Sequence, residues 1–168
     1  TRTFNWNVTG NDPNVEQVRS LHIDQGRFYN LEDQVQRARV AVLGSEAKEK
    51  LFSGRNALGE RIRLDGLSFQ VVGVLTAKMQ EGNDDINRTI YIPFTTMSDL
   101  KDTHYLDSIW FTYQTPAYEQ LEQSVRSILA IPHKFNQADR QAVRVFNLMV
   151  QVHQFEIISM GLKILMGF

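Results

Sequence analysis

Between residues 26 and 96 the chain is cut into short apolar blocks by glycine, proline and charged residues, and that spacing limits what it can become. In order they are Gly26-Arg27-Phe28-Tyr29, Val40-Ala41-Val42-Leu43-Gly44, Leu51-Phe52, Leu58-Gly59-Glu60-Arg61-Ile62-Arg63, Phe69-Gln70-Val71-Val72-Gly73-Val74-Leu75 and Tyr91-Ile92-Pro93-Phe94-Thr95-Thr96. Blocks this short make strands and single-face helices, not long bundle helices. None gathers groups able to make or break a covalent bond, so the function lies in what the chain touches or transmits.

Local signals place the elements. Asn11-Asp12-Pro13 caps and opens a short helix whose Val15, Val18 and Leu21 share a face. Residues 39–43 read as a buried strand. Ser45 is expected to cap a helix ending near Phe52. Ile62 and Leu64 alternate with Arg61, Arg63 and Asp65, predicting a half-exposed strand. Asp65-Gly66 is a hairpin signal, because the turn needs positive φ. The return strand, residues 69–75, is apolar on both faces and therefore central. Residues 81–85 read as a loop, residues 89–92 as a strand ended by Pro93, and a short helix begins near Thr95 or Thr96. Ile109, Phe111 and Tyr113 alternate with Trp110, Thr112 and Gln114. Thr115-Pro116 then opens a helix with Tyr118, Leu121, Val125, Ile128 and Leu129 on one face, and a strand over residues 142–146 would complete a β-α-β unit.

With 168 residues, 42% hydrophobic and 22% charged, the chain has an ordinary globular composition. A formal net charge of -1 gives no pull on nucleic acid. The charge is uneven, however. Residues 37–65 hold seven bases (Arg37, Arg39, Lys48, Lys50, Arg55, Arg61, Arg63) against four acids, whereas residues 81–107 hold six acids against Arg88 and Lys101. These segments are either solvated surface or complementary faces for a partner. Cysteine is absent, which removes disulfides, thiolate nucleophiles and Cys-ligated zinc.

The tempting motifs have plainer readings. Gly54 and Gly59 have phosphate-loop spacing, but Glu60-Arg61 stands where Lys and a hydroxyl residue belong, so both glycines read as turn residues. Ser45-Glu46-Ala47-Lys48 matches Ser-x-x-Lys without the companion motifs of acyl-enzymes. His22, His104, His133 and His153 lack metal-ligand spacing. Asn83-Asp84-Asp85 lacks the spaced acids and closing Glu of a calcium loop. Asn7-Val8-Thr9 and Asn87-Arg88-Thr89 match the short glycan sequon, which occurs by chance. Trp6 and Trp110 read as core or edge aromatics. No catalytic, cofactor-binding or metal-ligating residue is assigned, no cofactor is implied, and the partner-binding residues are unknown.

The chain opens in an alternating pattern (Phe4, Trp6, Val8) with no signal-peptide layout. Residues 157–168 are largely apolar, but as a helix they reach about 18 Å, short of the ~30 Å hydrocarbon core. They are expected to be either a buried C-terminal helix or the first turns of a membrane helix.

Taken together, Gly26-Arg27-Phe28, Val40-Ala41-Val42-Leu43-Gly44, Leu51-Phe52, Leu58-Gly59, Ile62-Arg63, Val71-Val72-Gly73-Val74 and Ile92-Pro93-Phe94-Thr95-Thr96 resemble the periplasmic core domain of MacB/FtsX-type ABC-transporter permeases. The resemblance covers residues 8–100 in its letters and the rest in layout. It implies an α+β, two-lobed domain. The β-α-β (porter-like) lobe would comprise residues 1–30 and 100–146, the inserted strand/helix lobe residues 31–99, and a C-terminal stalk helix residues 147–168, leading into a transmembrane segment. It implies a position on the extracytoplasmic (periplasmic) face of the bacterial cytoplasmic membrane, between two membrane helices, and a chain lacking the first part of the family domain. The implied role is non-catalytic coupling of ATP-driven membrane-helix movement to export or signalling. The implied partners are a cognate ABC ATPase subunit, a second permease copy, an adaptor protein and the membrane through flanking helices, with no nucleic acid. Two other readings compete: a soluble ligand- or peptide-binding module using Asp84 and Asp85, and a hydrolase with Ser45 as nucleophile.

Overall fold

The computed structural model describes residues 6–79, 85–147, 158–160 and 162. The chain divides into two compact units, residues 1–112 and 113–168.

Unit 1 is a six-stranded mixed sheet with short helices on it. Its strands are β1 (Asn7–Asn11), β2 (Ile23–Gly26), β3 (Val40–Leu43), β4 (Arg61–Leu64), β5 (Leu67–Leu75) and β6 (Thr89–Pro93), in spatial order β1-β6-β3-β5-β2 with β4 paired to β5. β3 runs parallel to β5 and antiparallel to β6, while β1 runs parallel to β6. β1 and β2 thus share one sheet with β3–β6.

β3 is buried along its whole length, with Ala41 and Leu43 facing one core and Val40 and Val42 the other. The first core adds Ala47, Phe52, Ile62, Leu64, Phe69, Val71, Ile90 and Ile92; the second adds Val15, Leu21, Phe28, Tyr29, Leu75 and Tyr91. Two-sided burial is what an uninterrupted apolar strand requires. β5 serves both cores by changing phase. Its register against β3 slips between Ala41–Val71 and Val42–Gly73. Phe69 and Val71 therefore share a core with Val74, and Leu75 turns to the other.

The β4–β5 hairpin matches its signal: Asp65 and Gly66 have φ of 46° and 85°, the pair of positive values a two-residue turn of this hand needs. Helix α1 (Val15–Val18) follows an Asp12 side chain that accepts the Asn14 N–H at 3.0 Å. Helix α2 (Leu31–Val35) starts with a reciprocal capping box between Asn30 and Asp33. Helix α3 (Ser45–Phe52) has the expected bounds but a different cap. Gly44 is the N-cap, and Ser45 is the first helical residue with no side-chain capping bond. The reason is tertiary: a methyl on Gly44 would overlap the carbonyl oxygens of Ile86 and Asn87. Gly54 and Gly59, with φ of 82° and 79°, are turn residues as expected. Helix α4 (Phe94–Met97) begins directly after Pro93.

Unit 2 contains helix α5 (Tyr118–His133), preceded by a turn in which Thr115 Oγ1 accepts the Ala117 N–H. Its buried residues are Arg126 and Ala130, whereas Ile128, expected on the buried face, is 69% exposed. Arg126 is covered by Glu122 at 3.0 Å and by the Asp139 carbonyl. The strands expected at 109–113 and 142–146 do not form, and neither segment lies in a ladder among the described residues. Ile109, Trp110 and Phe111 are exposed instead. Alternation specifies which faces a strand would show, but only a hydrogen-bonding neighbour makes it one. The expected stalk, 147–168, lies outside the described residues except Asn147 and the helical residues 158–160 and 162. Among the described residues no helix is long and apolar enough to cross a membrane.

Candidate functional site

Ser45 and Lys48 lie one turn apart on α3, beside a shallow cleft of about 260 Å³ bordered by Asp24 and Gln25 of β2 and by the end of β5. Among the described residues no hydrogen bond joins Ser45 to Lys48, and Lys48 Nζ lies 3.9 Å from the Glu49 carboxylate. A serine nucleophile needs a base within about 3 Å of its hydroxyl. This pair does not supply one.

His153 is outside the described residues, and among the described residues no three His, Asp or Glu side chains gather as a metal site. Asp84 also lies outside them. Asp85 caps the 3-10 turn Ile86–Arg88 by accepting the Arg88 N–H and pairs with the Arg88 guanidinium at 3.4 Å. Asn87 fastens the same connection from the other side. Its amide accepts from Lys78 N at 2.9 Å and donates to Lys78 O at 2.8 Å. The sequon asparagine is therefore a structural clip.

Part of the uneven charge is paired inside the chain. Arg37 and Arg39, from the basic stretch, both pair with Asp99 from the acidic one, at 2.8 and 3.0 Å. Arg88 approaches Glu46 as well as Asp85, and Lys101 pairs with Asp107 at 2.9 Å. The complementary faces expected for a partner are to this extent complementary to one another.

The most constrained cluster surrounds Gly26-Arg27-Phe28. Gly26 has φ of 76°, and a methyl there would overlap the Val72 carbonyl oxygen; a methyl on Gly73 would overlap the Arg27 carbonyl oxygen. The backbones of β2 and β5 therefore meet glycine to carbonyl in both directions, joined by Arg27 N–H donating to Val72 O at 3.0 Å. Arg27 then grips Asp33 through both guanidinium nitrogens and donates to its neighbour's Phe28 carbonyl. Asp33 also accepts the Asn30 N–H, so one carboxylate serves the ion pair and the helix cap. Phe28 and Tyr29 stack at 4.3 Å beside Tyr91. Burial, with Tyr91 and Asp12 near, pushes the Tyr29 phenol well above its usual range. This cluster is a joint between β2, β5 and α2.

The joint has a pH signature. The Arg27 hydrogen bond holds the Asp33 carboxyl below its ordinary value, opposed by burial and helped by the Asn30 N–H. A depressed folded pKa means its stabilisation is complete above the unfolded value, about 3.9, and is lost as pH falls through the folded value. Asp99 behaves likewise through Arg39 and Arg37. Thermal melts should show midpoints falling steeply below about pH 4, with a shallower fall for Asp33→Asn. Because Arg27 is half exposed, that variant costs about 1 kcal/mol at neutral pH.

Sequence reading missed the Arg27–Asp33 grip and the two-arginine contact at Asp99. Asn30-x-x-Asp33 was visible as a capping pattern; nothing local marks Asp99, some 60 residues from its partners.

Comparison with known proteins fits this account. The sequence profile described as the MacB-like periplasmic core domain matches residues 1–128. Among curated relatives, the macrolide export ATP-binding/permease protein MacB of Bdellovibrio bacteriovorus is 31% identical over 149 residues, covering 86% of this chain and 23% of that protein. The pyoverdine export ATP-binding/permease protein PvdT of Pseudomonas fluorescens is 34% identical over 93 residues, covering 54% of this chain and 14% of that protein. The chain thus spans less than a quarter of the length of these relatives. The fold is similar to the crystal structure of the periplasmic region of MacB from Actinobacillus actinomycetemcomitans, with TM-score 0.62, 21% identity and coverage of 83% of this chain and 66% of that one. It is also similar to the extracellular domain of the noncanonic ABC-type transporter YknZ from Gram-positive bacteria, with TM-score 0.61, 20% identity and coverage of 78% and 66%. With its mixed sheet, its glycine-locked joint and a profile match over residues 1–128, this chain belongs to the MacB-like periplasmic core domain family.

Proposed function

We propose that the chain is the non-catalytic, force-transmitting part of an export ABC-transporter permease, passing membrane-helix movement driven by ATP hydrolysis elsewhere to substrate expulsion. The observation that carries this reading is the construction of unit 1. Its two cores lie on opposite faces of one sheet, β2 and β5 are interlocked, and the Arg27–Asp33 and Arg37/Arg39–Asp99 ion pairs brace it. Close-packed interiors transmit strain, as a lever must. The similarity to MacB and PvdT supports export of a macrolide-like or pyoverdine-like molecule as the output. A cognate ATPase, a second permease copy and an adaptor protein are the proposed partners. The extracytoplasmic lobes and the stalk at residues 147–168 belong to the same proposal.

In cells carrying the full-length protein, Ser45→Ala and Lys48→Ala should leave export within about twofold of wild type, since both side chains, though partly buried, lie outside the two cores. Phe69→Ala should reduce export more than ATP turnover. Abolition of export by Ser45→Ala, with the protein still folded and inserted, would mean that a reaction centre has been mistaken for a helix start.

A further inference from the structure

The chain leaves α4 through residues 98–112, which form turns and bends with neither helix nor strand, up to the boundary of unit 1. We propose that Asp99, gripped by Arg37 and Arg39, is a clasp fixing the root of this connector to the sheet. The clasp deepens the mechanical reading above and depends on it for its purpose, though not for its geometry.

Five hydrogen bonds tie residues 34–39 to residues 95–99, across some 60 residues of sequence. Thr95 Oγ1 donates to the Gln34 carbonyl at 2.7 Å. Arg37 Nη2 donates to Ser98 Oγ at 3.1 Å and to Asp99 Oδ1 at 2.8 Å. Arg39 donates from Nε at 3.3 Å and from Nη2 at 3.0 Å to Asp99 Oδ2. Both carboxylate oxygens are thereby occupied. Ser98 Oγ also donates to the Thr95 carbonyl at 3.0 Å, so the α4 side of the clasp is itself braced. An isolated surface ion pair contributes little, but a network with fixed geometry contributes more.

An independent observation concerns the Arg37 backbone. The Ala38 N–H bonds to the Asp33 carbonyl at 2.8 Å and the Arg37 N–H to the Gln34 carbonyl at 3.2 Å, the two bonds that close a helix through a left-handed residue. Arg37 occupies that residue with φ of 52°. Glycine is the usual occupant because any Cβ is disfavoured there. Here the position holds an arginine whose side chain reaches the connector root. The backbone position prefers glycine, and the clasp requires the guanidinium.

That conflict supplies the test. Arg37→Gly relieves the backbone while removing one arm of the clasp, Asp99→Asn removes its centre, and Arg63→Ala, exposed on β4, is the control. NMR-detected hydrogen exchange on the 168-residue chain reads the amides of Asp99, Leu100 and Lys101, which bond to the Thr96 and Met97 carbonyls. Arg37→Gly and Asp99→Asn should accelerate these amides about three- to tenfold, leaving the β3 and β5 amides within about twofold. The thermal midpoint of Arg37→Gly should hold or rise. Unchanged exchange at these three amides in both variants overturns the clasp, as does acceleration spread equally through β3 and β5. Should Arg37→Gly fail to fold, Asp99→Asn decides alone. None of these measurements involves transport, so their failure leaves the mechanical reading standing, and loss of that reading leaves the clasp measurable.

Discussion

Gly73→Ala should destabilise unit 1 by about 3–5 kcal/mol, enough to leave much of a marginally stable domain unfolded at 37 °C. One added methyl has this effect because of what it meets. The neighbour is the Arg27 carbonyl, with other Arg27 backbone atoms close behind, and backbone cannot swing aside as a side chain tip can. Relief would require β2 to part from β5, breaking the Arg27–Val72 hydrogen bond and the Gly26–Gly73 pairing. It would also disturb the register slip that lets β5 serve both cores. Gly59→Ala makes the comparison: a methyl there meets nothing within 4 Å, so only its positive φ opposes the change, at about 1 kcal/mol. Urea unfolding followed by tryptophan fluorescence, with Trp6 and Trp110 both in unit 1, distinguishes the two. Equal midpoints for both variants would show that the β2–β5 approach is looser than described.

The sequence was most legible where a single strand or turn carried its own signal. The β4 alternation, the Asp65-Gly66 turn, the bounds of α3 and the two-faced burial of β3 follow from nearest-neighbour chemistry, whereas β5 exposes Ser68 and Gln70 and is buried on both faces only over residues 73–75. Legibility ended where the deciding contact was distant. Ser45 had the chemistry of a cap, but Gly44 took that place because the chain at Ile86 and Asn87 passes too close for a side chain. Residues 109–113 had a strand's alternation and lacked a ladder partner among the described residues. On α5 the apolar spacing was real, yet Arg126 is buried and Ile128 is not, because Glu122 and the Asp139 carbonyl cover the guanidinium. Of the candidate site, the Gly26-Arg27-Phe28 block stood out in the sequence, but the contacts that make it a joint needed coordinates. The glycine-to-carbonyl joint and the Asp99 clasp pair residues whose types are ordinary and whose separation hides them.

Phe69→Ala should cost about 3–5 kcal/mol, the usual range for emptying a fully buried aromatic site. Phe69 is 0% exposed near the start of β5, opposite Ile62 on β4, in the core that also holds Leu43, Phe52 and Ile92. Those neighbours come from separate strands and α3, so they cannot collapse together into the space without moving the sheet. Trp110→Ala removes an even larger side chain, but one that is 53% exposed and touched by Arg19 over its ring, and should cost about 1 kcal/mol or less. Differential scanning calorimetry of the two variants measures that contrast directly. The functional consequence follows from the same packing. A lever with a void at its centre yields where it should transmit, so Phe69→Leu, which refills most of the volume, should recover both stability and export in the full-length protein. Stability restored by Phe69→Leu without recovery of export would separate packing from transmission and count against the sheet as the element that carries force.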